Sequence, residues 1–306
     1  MKFVSVVMSV YNGEKFLRES LDSILGQTHA LFEFIIVNDY SLDMTGPILR
    51  SYAQQDNRVK IIENEANLGL TRSLNKAIKE SKGEYIARQD ADDVSHPERF
   101  ARQVYFLETH PQVALLGTSG LLISDAGRVL RIEKVNTNQA KLRKSLIQRN
   151  QFIHGSVMLR KSCLESIGLY CEELIYGQDY DLFLRIAEKY SVANIEEPFY
   201  SYRINIDSIS TKRIAEQLLN GLIIRKAAQL RRKQKLIVWS QEQYEEIKKS
   251  VNTFWGRKIL SFNIHMSKGR NYCLLGMKKE ARLEFRKASV VLPSFKGLFH
   301  FLKTFL

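Results

Sequence analysis

The sequence predicts an α/β fold: a mostly parallel central sheet with flanking helices, continued by an all-helical extension. Three observations carry that expectation. The first 120 residues alternate short β-branched runs with segments of helical periodicity, the pattern of βαβ units. Acidic residues stand just beyond several of those runs. After residue 211 strand signals nearly vanish, and the chain turns basic and helical.

The opening run, Val4-Ser5-Val6-Val7-Met8-Ser9-Val10, is too apolar for a sheet with one wet face and reads as a buried parallel strand. Residues 14–25 follow with Phe16, Leu17, Leu21, Ile24 and Leu25 at helical spacing. Further strands are expected at 34–37, 59–62 and 85–87, with helices near 45–54 and 70–79 between them. Residues 121–123 and 129–132, joined by Ser124-Asp125-Ala126-Gly127-Arg128, read as a hairpin. A helix over 179–190 carries Leu182, Phe183, Ile186 and Ala187 on one face. The expected domains are therefore 1–211 and a basic helical region, 212–306.

Composition narrows the function classes. The chain has 306 residues, 44% hydrophobic and 26% charged, which excludes disorder and a disulfide scaffold. Its formal charge of +13 is unevenly spread: residues 212–306 hold 21 basic and 6 acidic side chains, leaving 25 and 27 for the first 211. Basic charge confined to one end suggests an anionic surface as partner. Cys163, Cys171 and Cys273 are odd in number and lack metal-type spacing, as expected of reduced thiols in a cytoplasmic protein. The apolar opening is closed at once by Tyr11-Asn12-Gly13-Glu14, a poor signal peptide, and no run approaches the roughly 20 apolar residues of a membrane span.

In open α/β sheets, ligands bind at the carboxyl ends of strands. Asp39 and Asp90-Ala91-Asp92-Asp93 fall where two such ends are expected, and Asp179 and Asp181 open the later helix. Turn and cap chemistry accounts equally well for Asp39 taken alone. Three carboxylates within four residues are different, because they repel one another unless a cation sits among them. A divalent metal with a phosphate-bearing ligand is the natural inference. No P-loop and no Gly-x-Gly-x-x-Gly follows the first strand, which disfavours P-loop NTPases and ordinary dinucleotide dehydrogenases.

In this order the motifs resemble the family 2 glycosyltransferases of the GT-A fold, a Rossmann-like architecture. The first strand ends in Tyr11-Asn12, as the family's does. Val37-Asn38-Asp39-Tyr40-Ser41-Leu42-Asp43-Met44-Thr45 is similar to its Val-Asp-Asp-Gly-Ser-x-Asp-x-Thr, and Asn67-Leu68-Gly69 to its Asn-x-Gly. Asp90-Ala91-Asp92-Asp93 resembles its Asp-x-Asp, and Gln178-Asp179-Tyr180-Asp181-Leu182 its Glu-Asp-x-Asp-Leu. The resemblance covers roughly residues 3–210.

Carried over residue by residue, it implies that Asp39 hydrogen-bonds a nucleobase, with Ser9, Tyr11 and Arg72 completing the base and ribose pocket. Asp90 would approach the ribose, Asp93 would join the nucleotide-sugar site, and Asp92 would meet a divalent cation (Mn2+ or Mg2+) on the diphosphate. Asp179 would be the catalytic base. His154 would touch acceptor or phosphate, with a structural histidine as the competing reading. Tyr202-Arg203 resembles a Tyr-Arg pair before a loop that closes over the diphosphate, against a surface salt bridge. The implied activity is inverting transfer of a sugar from a nucleotide-sugar donor, UDP-linked, to a hydroxyl of a glycan or lipid-linked acceptor. Lipopolysaccharide, capsule or exopolysaccharide assembly would be the setting.

Asn38 and Tyr40 replace the family's Asp and Gly around Asp39, which bears on base or donor-sugar recognition. Gln178 replaces Glu, leaving Asp179 as the base. Gln-x-x-Arg-Trp, the mark of processive synthases, is absent, so a single sugar is expected per reaction. Two other readings compete. A sugar-nucleotide pyrophosphorylase would show a Gly-rich basic loop after the first strand, and Tyr11-Asn12-Gly13-Glu14 is nothing like one. A nucleic-acid-binding protein would suit the pI of about 9.5, but the Asp clusters would repel phosphate without metal, so no nucleic-acid partner is expected.

In the extension, Trp239 and Trp255 read as core residues. Gly269, Tyr272, Gly276, Ala281, Phe285, Ala288 and Pro293 are similar in spacing to one tetratricopeptide unit, which implies a packed helix pair. Phe295, Leu298, Phe299, Leu302, Phe305 and Leu306 share one face of a terminal helix, suited to lying in a bilayer interface or packing on the pair. The expected location is cytoplasmic, peripheral on the inner face of the membrane.

Overall fold

The computed structural model describes residues 2–204, 213–233, 240–251 and 254–291. The chain forms two compact units, Met1–Arg203 and Ile204–Leu306. The boundary expected near residue 211 falls within 205–212, outside the described residues.

In the first unit, strand β1 (Val4–Val10) lies parallel between β2 (Phe32–Asn38) and β4 (Tyr85–Arg88), and β3 (Val59–Glu63) lies parallel outside β2. Past β4 the sheet becomes mixed. It continues through β8 (Met158–Arg160), β6 (Val113–Ile123), β9 (Ser191–Arg203) and β5 (Val94–Ser95), with β7 (Val129–Glu133) hairpinned onto β6. Strand β8 is antiparallel to both neighbours, while β6 and β9 are parallel. The expected parallel half is thus β3-β2-β1-β4, and the other half reverses direction.

The apolar opening run forms the middle of the core because both its faces are covered. Leu17, Leu21 and Ile24 of helix α1 (Glu14–Leu25) are fully buried against it. Each such side chain contributes roughly 1.5–3 kcal/mol by leaving water. Helices α2 (Thr45–Gln55) and α3 (Leu70–Glu80) complete the crossovers. Beneath β1 the turn at Gly83 approaches so closely that any Cβ there would strike the Ser5 backbone. The nearby Glu33 carboxylate accepts from Ser5 Oγ at 2.6 Å, Lys60 Nζ at 2.6 Å and the Lys82 N–H at 2.7 Å. Burial works to raise the Glu33 pKa, but those bonds outweigh it and hold the group below its usual range.

The second half adds α4 (Arg99–Thr109), α5 (Gln139–Leu146), α6 (Lys161–Ile167) and α7 (Gln178–Lys189). Strand β9 is interrupted: Ile195 pairs with Thr118 and Tyr200 with Gly120, so residues 196–199 bulge out opposite Ser119 alone. The cysteines Cys163, Cys171 and Cys273 are unbridged.

The second unit is helical: α8 (Ile214–Arg232), α9 (Gln241–Val251), α10 (Phe254–Leu274) and α11 (Lys278–Val291). Ile223 and Ala227 of α8 pack on Ile247 of α9. In the α10–α11 pair, Met266, Ala281, Phe285 and Ala288 form a small core, and Gly269 leaves room for the Phe285 ring. Gly276 turns the chain with φ +75°, the left-handed region that favours glycine. Trp239, Pro293 and the terminal segment 295–306 lie outside the described residues, as does the side chain of Trp255. No described helix is long and apolar enough to cross a membrane.

Candidate active site

The strand ends converge as expected of an open sheet, but the acidic residues there fall into two kinds. Asp39 follows β2 and is 2% exposed. Its Oδ1 accepts from Asn64 Nδ2 at 2.7 Å and the Leu68 N–H at 2.8 Å, and its Oδ2 accepts from the Gly69 N–H at 2.9 Å. It therefore fixes the 64–69 loop, which leads into α3 with Gly69 at φ +83°. Asp43 accepts from the Glu14 and Thr45 N–H groups, so one side chain serves the first turns of α1 and α2. Asn12 and Tyr40 both adopt positive φ, +49° and +65°. Asn12 Oδ1 accepts the Leu42 N–H, and the Asn12 N–H donates to Ser41 Oγ. These bonds hold Tyr11 and Tyr40, each 49% exposed, at the rim. Arg72 is largely exposed beside Glu172, 3.5 Å away.

Beyond β4 the carboxylates are poorly compensated. Asp90 is paired with the buried Arg88 at 2.6 Å. Asp92 is half-buried; desolvation first, and the Asp90 charge second, push its pKa up to about 6. Asp93 is buried and raised well above its usual value by desolvation and by Asp92 and Asp90. The turn carrying them is strongly supported. Arg203 donates through Nε to the Asp92 carbonyl at 2.7 Å, through its N–H to Asp93 Oδ1 at 2.9 Å, and through Nη2 to Glu19. Its Nη1 is bonded to the Ser124 and Asp125 carbonyls. Gln89 Nε2 holds the Asp93 carbonyl at 2.9 Å, and Arg99 holds the Arg88 carbonyl at 2.8 Å. Tyr200 Oη accepts the Asp90 N–H at 3.1 Å, an approach that Gly155 permits because any Cβ there would collide with that ring.

Opposite this turn stands the start of α7. Asp179 is half-buried in its first turn, and its Oδ2 accepts from Asn150 Nδ2 at 2.8 Å. Asn150 Oδ1 in turn accepts the Phe152 N–H, which fixes the amide's orientation. Asp181 is fully buried and paired with Arg185 at 2.8 Å, a structural role. His154 meets the Tyr170 hydroxyl at 2.9 Å through Nε2. Burial and the Arg88 charge lower the His154 pKa, while Asp179 and Asp90 oppose that shift. The fold thus gathers Arg88, Asp90, His154 and Asp179 around one centre.

Sequence reasoning located the carboxylates but missed their supports, Arg88, Gln89, Asn150, Tyr170 and Tyr200. Arg203 was expected near the diphosphate; in the structure its guanidinium is spent on the chain, clamping the turn from below. Asp39, expected at the base, has its acceptors largely taken by the 64–69 loop. The oxygen-only donor set and the mutual repulsion of Asp90, Asp92 and Asp93 suit a hard divalent ion. Among the described residues no three His, Cys, Asp or Glu side chains converge into a cage. A metal held here would need ligand oxygens to complete its shell.

The profile described as Glycosyl transferase family 2 matches residues 5–168. An uncharacterized glycosyltransferase of Methanocaldococcus jannaschii is 38% identical over 71% of this chain and 76% of its own length. The O-antigen biosynthesis glycosyltransferase WbnJ of Escherichia coli is 34% identical over 70% and 85%. Among solved structures, S. aureus TarS in complex with UDP-GlcNAc superposes with a TM-score of 0.64 at 17% identity, covering 97% of this chain and 93% of that one. The mannosyltransferase PcManGT from Pyrobaculum calidifontis, in complex with GDP-Man and Mn2+, gives 0.58 at 16% identity, covering 99% and 83%. Both structural likenesses concern the fold, which is GT-A.

Proposed function

The chain belongs to glycosyl transferase family 2, and on that premise we propose that it moves a single sugar, with inversion, from a UDP-linked donor to a glycan or lipid-linked hydroxyl in polysaccharide assembly. The observation that carries this reading is the crowded Asp90–Asp92–Asp93 turn, in which burial and mutual repulsion raise Asp92 and Asp93, together with the gathering of Asp90 and Asp179 around His154. The O-antigen role in the name of WbnJ and the UDP-GlcNAc bound to TarS support the substrate class.

Ser9, Tyr11 and Arg72 border the base and ribose, with Asp39 shaping that pocket by holding its loop. Asp90 and Asp93 flank the ribose and diphosphate, and Asp92 is the protein's ligand to Mn2+ or Mg2+. A divalent ion bound there supplies charge stabilisation for the departing diphosphate, and Mn2+ accompanies GDP-Man in PcManGT. Asp179, aimed by Asn150, accepts the proton of the acceptor hydroxyl as that oxygen attacks the face opposite the leaving group. His154, whose pKa burial lowers, borders the acceptor side.

Thermal shift of the full chain with UDP-, GDP- and dTDP-sugars, with and without Mn2+, tests the reading. UDP-sugars should stabilise it only with metal. Equal stabilisation in EDTA would remove the metal, and no response to any donor would remove the function. The basic extension is proposed to hold the enzyme on the inner membrane surface, each Lys or Arg near an anionic leaflet contributing about 1 kcal/mol. Truncation at Pro293 should weaken sedimentation with anionic liposomes and leave donor binding intact; full-length protein that ignores such liposomes at low salt would refute the attachment.

A further inference from the structure

A cavity of about 450 Å3 opens between α4, the segment leading into α5, and the bulge of β9, away from the carboxylate centre. Four aromatic groups line it, of which Phe199 is buried. Phe106 and His110 stack at 4.1 Å with an interplanar angle of 11°, and Tyr105 stands beside them, 70% exposed. A large aromatic so exposed gains nothing from the core, and its ring lies ready for an apolar face.

Two carboxylates of the lining are unspent. Glu196 and Glu197 are exposed and have no ion-pair or hydrogen-bond partner among the described residues. Asn194, by contrast, is 4% exposed and spent on the chain: its Nδ2 donates to the Asn136 and Gln151 carbonyls, and its Oδ1 is packed against Gly117. The register shift in the β6–β9 ladder produces this arrangement: residues 196–199 bulge within β9 and bring both carboxylates to the cavity.

Flat apolar rings beside several free acceptors match a ligand with apolar C–H faces and a girdle of hydroxyl donors. Arg102 also lines the cavity, but two carboxylates against that single guanidinium leave the lining net negative, which disfavours phosphates and sugar acids, and the polar lining disfavours a lipid chain. We propose that this cavity is a second saccharide site, holding one uncharged hexose unit of a glycan outside the catalytic centre. The same strand continues to Tyr200 and Arg203, which support the Asp90 and Asp92 turn, so an occupied cavity would sit on the element that shapes the donor site.

The test is saturation-transfer NMR on the full chain, with UDP and Mn2+ filling the donor cleft. The probes are the methyl glycosides of glucose, galactose, mannose and N-acetylglucosamine, with glucuronic acid as charged control. At least one neutral glycoside should bind and glucuronic acid should not. Tyr105→Ala should weaken that binding about tenfold, the scale of one lost aromatic face, and Glu197→Gln should weaken it too, with Tm and UDP affinity unchanged. Both side chains are exposed, so neither variant threatens the fold. Silence from all four glycosides, or binding untouched by both substitutions, would overturn the proposal. A chain that binds glycosides here but no UDP would refute the proposed donor chemistry while leaving this site standing.

Discussion

Around β2, the carboxylates Glu33, Asp39 and Asp43 spend their charge on the chain: each accepts two or three hydrogen bonds that fasten turns to the sheet. Beyond β4, Asp90, Asp92 and Asp93 crowd one turn, and burial with mutual repulsion raises Asp92 and Asp93. Asp39 and Asp43 of the first group and all three of the second belong to the motifs on which the family resemblance rests. The difference teaches that a satisfied carboxylate is scaffold, whereas a frustrated one marks where a cationic partner belongs.

Asp92→Asn breaks the contrast most sharply. Transfer in Mn2+ should fall to the limit of detection, while the folded state should gain. The rise from 3.8 to about 6 means that the folded state holds this proton more tightly than the unfolded one. The ionised group therefore costs up to about 3 kcal/mol as pH rises through 6, and its removal should raise Tm at pH 8 but not at pH 4. A lower Tm at pH 8 would mean that Asp92 is scaffold after all.

Asp179→Asn should lower kcat by about 10²- to 10⁴-fold with little change in donor KM. Collapse of donor binding instead would remove Asp179 as base. On the scaffold side, Asp43→Ala should cost about 2 kcal/mol, because one side chain serves two helix starts, with kcat nearly unchanged in the folded fraction; urea titration reads it. The smallest effect concerns Glu33. Its depressed pKa contributes stability above the ordinary 4.5 that is lost as pH falls through the lower folded value. Glu33→Gln should flatten that acid limb, and an unchanged pH profile would deny the network its charge.

The parallel half of the sheet was legible because β1 is buried along nearly its whole length and α1 buries one face at helical spacing. Strand β9 was not, since Glu196-Glu197-Pro198 interrupts its pattern and the interruption is itself the bulge. The acidic centre could be read from local spacing alone. Its supports could not: Asn150 reaches Asp179 across 29 residues, and Tyr200 reaches Asp90 across 110. No local pattern encodes such approaches. The same blindness explains Arg203, which reads as part of a Tyr-Arg pair before a diphosphate-closing loop and in the structure clamps the Asp92–Asp93 turn.

That clamp has a consequence for biosynthesis. Arg203 ends β9, the last strand among the described residues, yet β9 is inserted between β6 and β5. The turn at Asp93 emerges 110 residues before the residue that fastens it, a delay of roughly 5–20 s on a translating ribosome. During that interval a nascent chain already carries Asp39, Asp90, Asp92 and Asp93 but cannot hold them in register. A fragment stopped after α7 would therefore contain every acidic residue of the centre and still lack a working one, so the shortest chain worth expressing must run through Arg203.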